Sequence, residues 1–264
     1  MKKRATIALL TFLTTSLMCF AQKQDGYREE ESSDFRARAS VTLGYKPTRN
    51  LDLTISEELR FRDNLASFDR SYTTVEAKYS PVKRLDIIGG YTFAVVSKQS
   101  KTIRHRAELG AAYTFHAGNF RIGIRELVQC SFRTDSVNVA EKANPALVLR
   151  SRLRVSYKFP YIPIVPYIGA ELYNTLNSPE VDMSRLKTIN GSKPESLRNY
   201  ICRYRAAAGL KYKINAHTSI EAYYLFDHDI NYDVNVGRKS HAVNRVVREV
   251  ENRHTAGLAL SHYF

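Results

Sequence analysis

Past residue 21 the chain has no apolar run approaching the about 20 residues that a membrane-spanning helix needs, so it does not cross a bilayer on helices. Cysteine is scarce: of three in the chain, Cys19 lies in the leader, which leaves only Cys130 and Cys202. That excludes a disulfide-stapled scaffold and leaves open whether those two pair. Carboxylates are outnumbered, 26 Asp and Glu against 40 Lys and Arg, for a formal charge of +14, of which Lys2, Lys3 and Arg4 supply three units. No RNA- or DNA-binding motif accompanies this excess, and the arginines alternate along extended segments instead of clustering in tails, so nucleic acid is not the expected partner. Metal-ligand spacing, a phosphate-cradling glycine loop and a nucleophile elbow are also missing. The sequence therefore offers no cofactor, no metal centre and no catalytic set.

What the chain does have is an export signal followed by period-two alternation. Lys2, Lys3 and Arg4, the apolar stretch 5–20 and Cys19-Phe20-Ala21 read as a cleaved leader, residues 1–21. Acylation of Cys19 as a lipoprotein is disfavoured by the bulk of Met18. Residues 22–34 are polar and acidic, a flexible lead-in. From Phe35 onward, Phe35, Ala37, Ala39, Val41, Leu43 and Tyr45 alternate with Arg36, Arg38, Ser40, Thr42 and Gly44. Successive side chains of a strand point to opposite faces, so such a segment has one apolar and one charged face. A wall with lipid outside and a polar interior fits this pattern. A membrane protein without spanning helices must close its sheet, because open edges leave backbone groups unpaired in lipid. Residues 35–264 are thus expected to form an all-β, antiparallel up-and-down barrel in the outer membrane of a Gram-negative cell.

Segments 35–46, 51–62, 71–80, 85–96, 102–115, 120–133, 147–159, 164–175, 198–214, 219–228 and 250–264 carry the alternation. Four-residue turns between them interleave with longer polar connections at 63–70, 97–101, 134–146, 176–197 and 229–249, the asymmetry of short periplasmic turns and longer external loops. Outward aromatics Tyr45, Tyr79, Phe115, Phe120, Tyr157, Phe159 and Tyr212 fall near the short turns, as in an interfacial girdle. Eleven strands are visible, but even-numbered barrels close antiparallel. The expectation is about twelve, with a poor strand in 22–34, a miscount or a parallel closing pair as the options. Phe264 ends the last strand, where it would engage the barrel-assembly machinery.

Several short pieces, in order and spacing, resemble a family of outer-membrane barrels catalogued as domain of unknown function 2490. They are Glu57-Glu58-Leu59-Arg60-Phe61, Asp69-Arg70-Ser71-Tyr72, Gly89-Gly90-Tyr91, His105-Arg106 and Leu149-Arg150-Ser151-Arg152-Leu153, then Pro166-Tyr167-Ile168-Gly169-Ala170-Glu171-Leu172, Tyr204-Arg205, Gly209-Leu210-Lys211-Tyr212 and Glu221-Ala222-Tyr223-Tyr224. The resemblance spans essentially the whole mature chain, implies an outer-membrane barrel and supplies no activity. His262 departs from it, standing where an outward aromatic is usual in the terminal strand.

Parity places Arg36, Arg38, Arg60, Arg62, Arg104, Arg106, Arg125, Arg133, Arg150, Arg152, Arg154, Arg203, Arg205 and Arg253 inside, with Glu58, Glu108, Glu171, Asp227 and Glu251 as acidic partners. A guanidinium keeps its charge, so each needs a carboxylate, water or a bound anion. Two readings follow: a salt-bridged plug, or a narrow pore whose arginines select anionic solutes. Glu57 and Glu126 fall on the lipid face, a costly place for a carboxylate, where a β-bulge turning them inward or a headgroup-level position is expected. His228, His254 and His105 lie outward near the long loops, where a lipid-modifying site would sit, but no serine or orienting carboxylate accompanies them. Enzymatic activity is therefore left open. The expected partners are outer-membrane lipids, lipopolysaccharide and a small anionic solute, and the expected state is a monomer. A soluble periplasmic β-sandwich that binds a ligand is the remaining alternative.

Overall fold

The structure, a computed structural model, describes residues 26–96, 102–134, 138, 140–184, 186–193, 197–237 and 242–264. The export signal over 1–21, its cleavage near Ala21 and the 97–101 connection lie outside the described residues. Eleven strands follow one another: β1 (Gly26–Thr48), β2 (Leu51–Arg62), β3 (Ser67–Val82), β4 (Leu85–Val96), β5 (Thr102–Ala117), β6 (Phe120–Arg133), β7 (Ala146–Tyr157), β8 (Ile164–Thr175), β9 (Tyr200–Lys213), β10 (Thr218–Val236) and β11 (Val243–Tyr263). Each pairs antiparallel with its chain neighbours, and β1 closes on β11 to make one barrel. A single closed sheet replaces the two packed sheets that the sandwich alternative required.

The strand count is eleven among the described residues, not twelve, and the closing pair is parallel, from Gly26 beside Arg245 to Gly44 beside Tyr263. An odd number of up-and-down strands leaves the first and last running the same way, so only a parallel ladder can close the barrel. The lead-in expected as flexible over 22–34 is corrected by the same ladder: from Gly26 it is strand, held by a partner more than two hundred residues away.

Side chains sort as the alternation requires, in the inverse of a water-soluble protein. Val41, Ile55, Leu109 and Ile168 are 49 to 65 % exposed on the outer face. Inside, Ile88, Leu127, Thr92, Thr255 and Asp227 are buried. Three inward tyrosines lie flat on glycines directly paired with them on the next strand, Tyr167 on Gly209, Tyr223 on Gly257 and Tyr263 on Gly44. A Cβ at any of these glycines would run into the ring.

At the long-loop end β1, β10 and β11 continue well past the expected boundaries, turning most of the predicted 229–249 loop into strand. Residues in 181–197 pack against this extension. Val181, Met183, Leu186 and Leu197 form a small core with Tyr27, Val234, Val236 and Val246. Tyr27, Val246 and Val234 stand side by side in the ladder and share the outward parity of Phe35 and His254. The connection therefore sheathes the outside of the extension. It also adds backbone bonds, from Tyr27 N–H to the Lys187 carbonyl at 2.8 Å and from Ile189 N–H to the Tyr27 carbonyl at 2.8 Å.

Candidate functional site: an ionic interior

Strand pairing alone cannot bring β1 against β10, β3 against β6 or β7 against β10, since none of these are sheet neighbours. Ion pairs join all three: Arg38 with Asp227 at 3.6 Å, Arg125 with Glu76 at 2.7 Å and Arg154 with Glu221 at 3.4 Å. Contacts between non-neighbouring strands of a closed sheet pass through its interior. Charged side chains thus bridge the lumen.

The densest part centres on Asp227, which is fully buried. Arg205 donates to both its oxygens, at 2.6 and 3.1 Å, in a bidentate fork. Arg205 also donates to Glu171 at 3.2 Å and to the Tyr173 hydroxyl oxygen at 3.0 Å. Arg150 takes the other side of Glu171 at 2.9 Å, and the Tyr173 hydroxyl donates to the same carboxylate at 2.6 Å. The guanidinium groups of Arg150, Arg203 and Arg205 gather around the Tyr173 ring, 4.9 to 5.5 Å from its centroid, a distance at which cation–π attraction acts. Arg203 continues the lattice to Asp229 at 3.0 Å, and Arg253 reaches Asp229 at 2.5 Å and Glu251 at 2.6 Å. Arg36 joins Glu251 to Asp34 and so ends the chain of charges.

Beside Arg38 in the ladder, Arg60 pairs with Glu58 and stacks 4.1 Å from the Tyr72 ring centroid. Arg106 pairs with Glu108 at 2.7 Å, and the Gln129 amide donates to the same carboxylate at 2.9 Å. Arg62 meets Asp63 at 3.4 Å at the long-loop rim. Arg104 lies in register with Arg133, whose backbone N–H bonds the Asn144 amide oxygen at 3.1 Å. Arg152 differs. It stands between Arg125 and Glu171 in register, yet Glu171 is committed to Arg150, Arg205 and Tyr173, and Arg152 has no ion pair among the described residues.

Sequence reasoning missed Asp34, Glu76, Glu221 and Asp229 as partners and the three aromatic hubs Tyr72, Tyr167 and Tyr173. Their inward parity was readable: Glu76 alternates with Thr74 and Lys78, and Glu221 with Tyr223 and Asp227. Tyr167 holds Arg154 3.5 Å over its ring and donates its hydroxyl to Glu221 at 2.6 Å.

Outside, no bulge turns Glu57 or Glu126 inward, since the ladder runs without a shift through both. Each instead accepts from a neighbouring hydroxyl, Glu57 from Thr73 at 2.5 Å and Glu126 from Ser151 at 2.6 Å. His254 pairs with the Tyr224 hydroxyl at 2.5 Å, His105 with the Tyr91 hydroxyl at 2.5 Å and His228 with Asn252 at 2.8 Å. His262 meets the Thr218 hydroxyl at 2.9 Å and Phe264 edge to face. Cys130 and Cys202 are free thiols. Among the described residues no group of His, Cys, Asp and Glu is arranged to hold a metal ion.

A comparison with curated proteins found no match. Residues 35–235, the greater part of this barrel and nearly all of its ionic interior, match the family described as protein of unknown function (DUF2490), and the chain belongs to that family.

Proposed function

We propose that this chain is an integral outer-membrane barrel whose interior is shut at mid-height by its own ionic lattice. The observation that carries this reading is the set of ion pairs that cross the interior between strands that are not neighbours. The apolar outer face supports the membrane half of the proposal, because an exposed surface of this extent in water would drive aggregation. From Phe35 to Tyr45 the outward face spans ten residue steps, about 25 Å along the barrel axis after allowing for strand tilt, which is the apolar height such barrels present to lipid. On this reading the short turns face the periplasm, the leader directs export, and the β11 strand ending in Phe264 engages the assembly machinery.

Two measurements test it. Protein folded in detergent should migrate differently on electrophoresis with and without boiling, and should stay with the membrane when the cell envelope is extracted without detergent. In planar bilayers the folded protein should show no steady conductance, and the double variant Arg38→Ala with Asp227→Ala should show more than the wild type. Large steady conductance from the wild type would refute the closed interior.

A second reading is favoured by Arg152. A cation with no ion pair, in register with Arg125, gives the wall a place for a passing anion. Anion-selective current that falls on Arg152→Gln would establish it.

A further inference from the structure

The charge of this barrel is divided along its axis. At the long-loop end cations and carboxylates are interleaved and paired: Arg28 with Glu30, Arg248 with Glu29, Arg245 with Asp233, Arg70 with Asp69. The short turns themselves carry charge of one sign. Arg49 lies in the β1–β2 turn, Lys83 and Arg84 form the β3–β4 turn, and Lys158 opens the β7–β8 turn. All four are exposed, and none has an ion pair among the described residues. Arg121 and Lys213, beside the other two turns, share the inward parity of Arg125 and Arg205 and face the interior. The two carboxylates nearest these turns are turned inward and occupied. Asp52 holds Lys78 at 2.6 Å and Lys46 at 3.6 Å, and Asp86 accepts from the Ser80 hydroxyl at 2.6 Å.

We infer that this rim binds the anionic headgroups of phospholipids in the leaflet at the short-turn end. The inference rests on the membrane reading above and adds the lipid class. Two features favour headgroups over a dissolved anion. The cations are spread over three separate turns around the circumference, whereas a soluble ligand needs groups that converge. They also lie just beyond the outward aromatics Tyr45, Tyr79 and Tyr157, at the depth where headgroup phosphates meet such a girdle. Basic residues beside a membrane surface each add to the attraction for anionic lipid, and the sum is screened by salt.

The test uses the full chain folded in phosphatidylcholine bicelles doped with phosphatidylglycerol, with the lipid retained after purification identified by mass. The wild type should retain phosphatidylglycerol several-fold above its share, and the enrichment should fall in high sodium chloride. Replacing the four cations with glutamine should abolish it, while Arg28→Gln with Arg248→Gln should leave it unchanged. Folding of each variant is checked by its heat-dependent migration; if the four-site variant does not fold, charge neutralisation by lysine acetylation of folded wild type, which reaches Lys83 and Lys158, should lower the enrichment. No enrichment in folded wild type, or full enrichment in the folded four-site variant, overturns the proposal. So does sodium phosphate displacing the lipid better than sodium chloride at equal ionic strength, because a dissolved anion would then be the occupant. A wild type that fails to enter bicelles at all would instead overturn the membrane reading.

Discussion

Asp227→Asn removes the charge around which the interior is organised while keeping nearly the same volume. In the native protein the buried carboxylate accepts two bonds from Arg205 and faces Arg38 at 3.6 Å. The variant leaves Arg205 sharing Glu171 with Arg150, and Arg38 without that carboxylate. Removing one partner of a buried ion pair costs about 3–5 kcal/mol, mainly because the surviving charge stays buried uncompensated. The assay is the urea midpoint of refolding in detergent or thin bilayers, followed by the heat-dependent shift in migration. Arg28→Ala serves as control. Its partner Glu30 is exposed at the long-loop rim, and pairs open to solvent contribute about 0–1 kcal/mol. The double variant Asp227→Leu with Arg205→Met should cost less than the two single changes added together, because neither charge is then stranded. If Asp227→Asn costs under about 1 kcal/mol, the carboxylate is reached by water and the interior is not sealed there.

Gly257→Val places methyl groups in the space of the Tyr223 ring and should cost about 1–3 kcal/mol of stability in the same urea titration, with part recovered by adding Tyr223→Ala. Tyr27, eight residues beyond Phe35 and outside the apolar band, has its hydroxyl pKa raised first by burial and then by the hydrogen bond to Glu29 at 3.0 Å. A raised folded value means that stability is complete below the ordinary tyrosine pKa of about 10 and declines as pH climbs above it. Amide exchange at Ile189 should therefore speed up above that pH by more than the intrinsic rate, and Tyr27→Phe should remove the excess.

Within the apolar band the sequence was transparent. The ranges expected for β2, β4, β6 and β8 coincide with the observed strands, because an apolar outer face and a charged inner face impose a strict alternation there. Beyond the band the constraint changes. Ile230, Tyr232, Val234 and Val236 continue the outward parity of β10, but a strand cut to bilayer length hides them in a loop. Val234 and Val236 are buried by Val181, Met183, Leu186 and Leu197, with Tyr232 packed beside them, and that covering segment has no periodicity of its own. The Arg28–Asp34 part of β1 carries no pattern at all, since its structure is set by the distant β11. Among the charges, parity found the arginines readily. It could not say that three tyrosine rings would serve as their hubs, because ring stacking depends on how far each side chain reaches across the barrel.

The parallel seam has a topological corollary for the two ends of the molecule. With eleven strands, β1 begins at Gly26 among the long loops and β11 finishes among the short turns, so the first and last strands open at opposite ends of the barrel. On the membrane reading, an epitope fused before Gly26 would be displayed to antibody on intact cells. The same epitope placed after Phe264 would be reached only once the envelope is breached, so a pair of such fusions would report the orientation of the barrel directly.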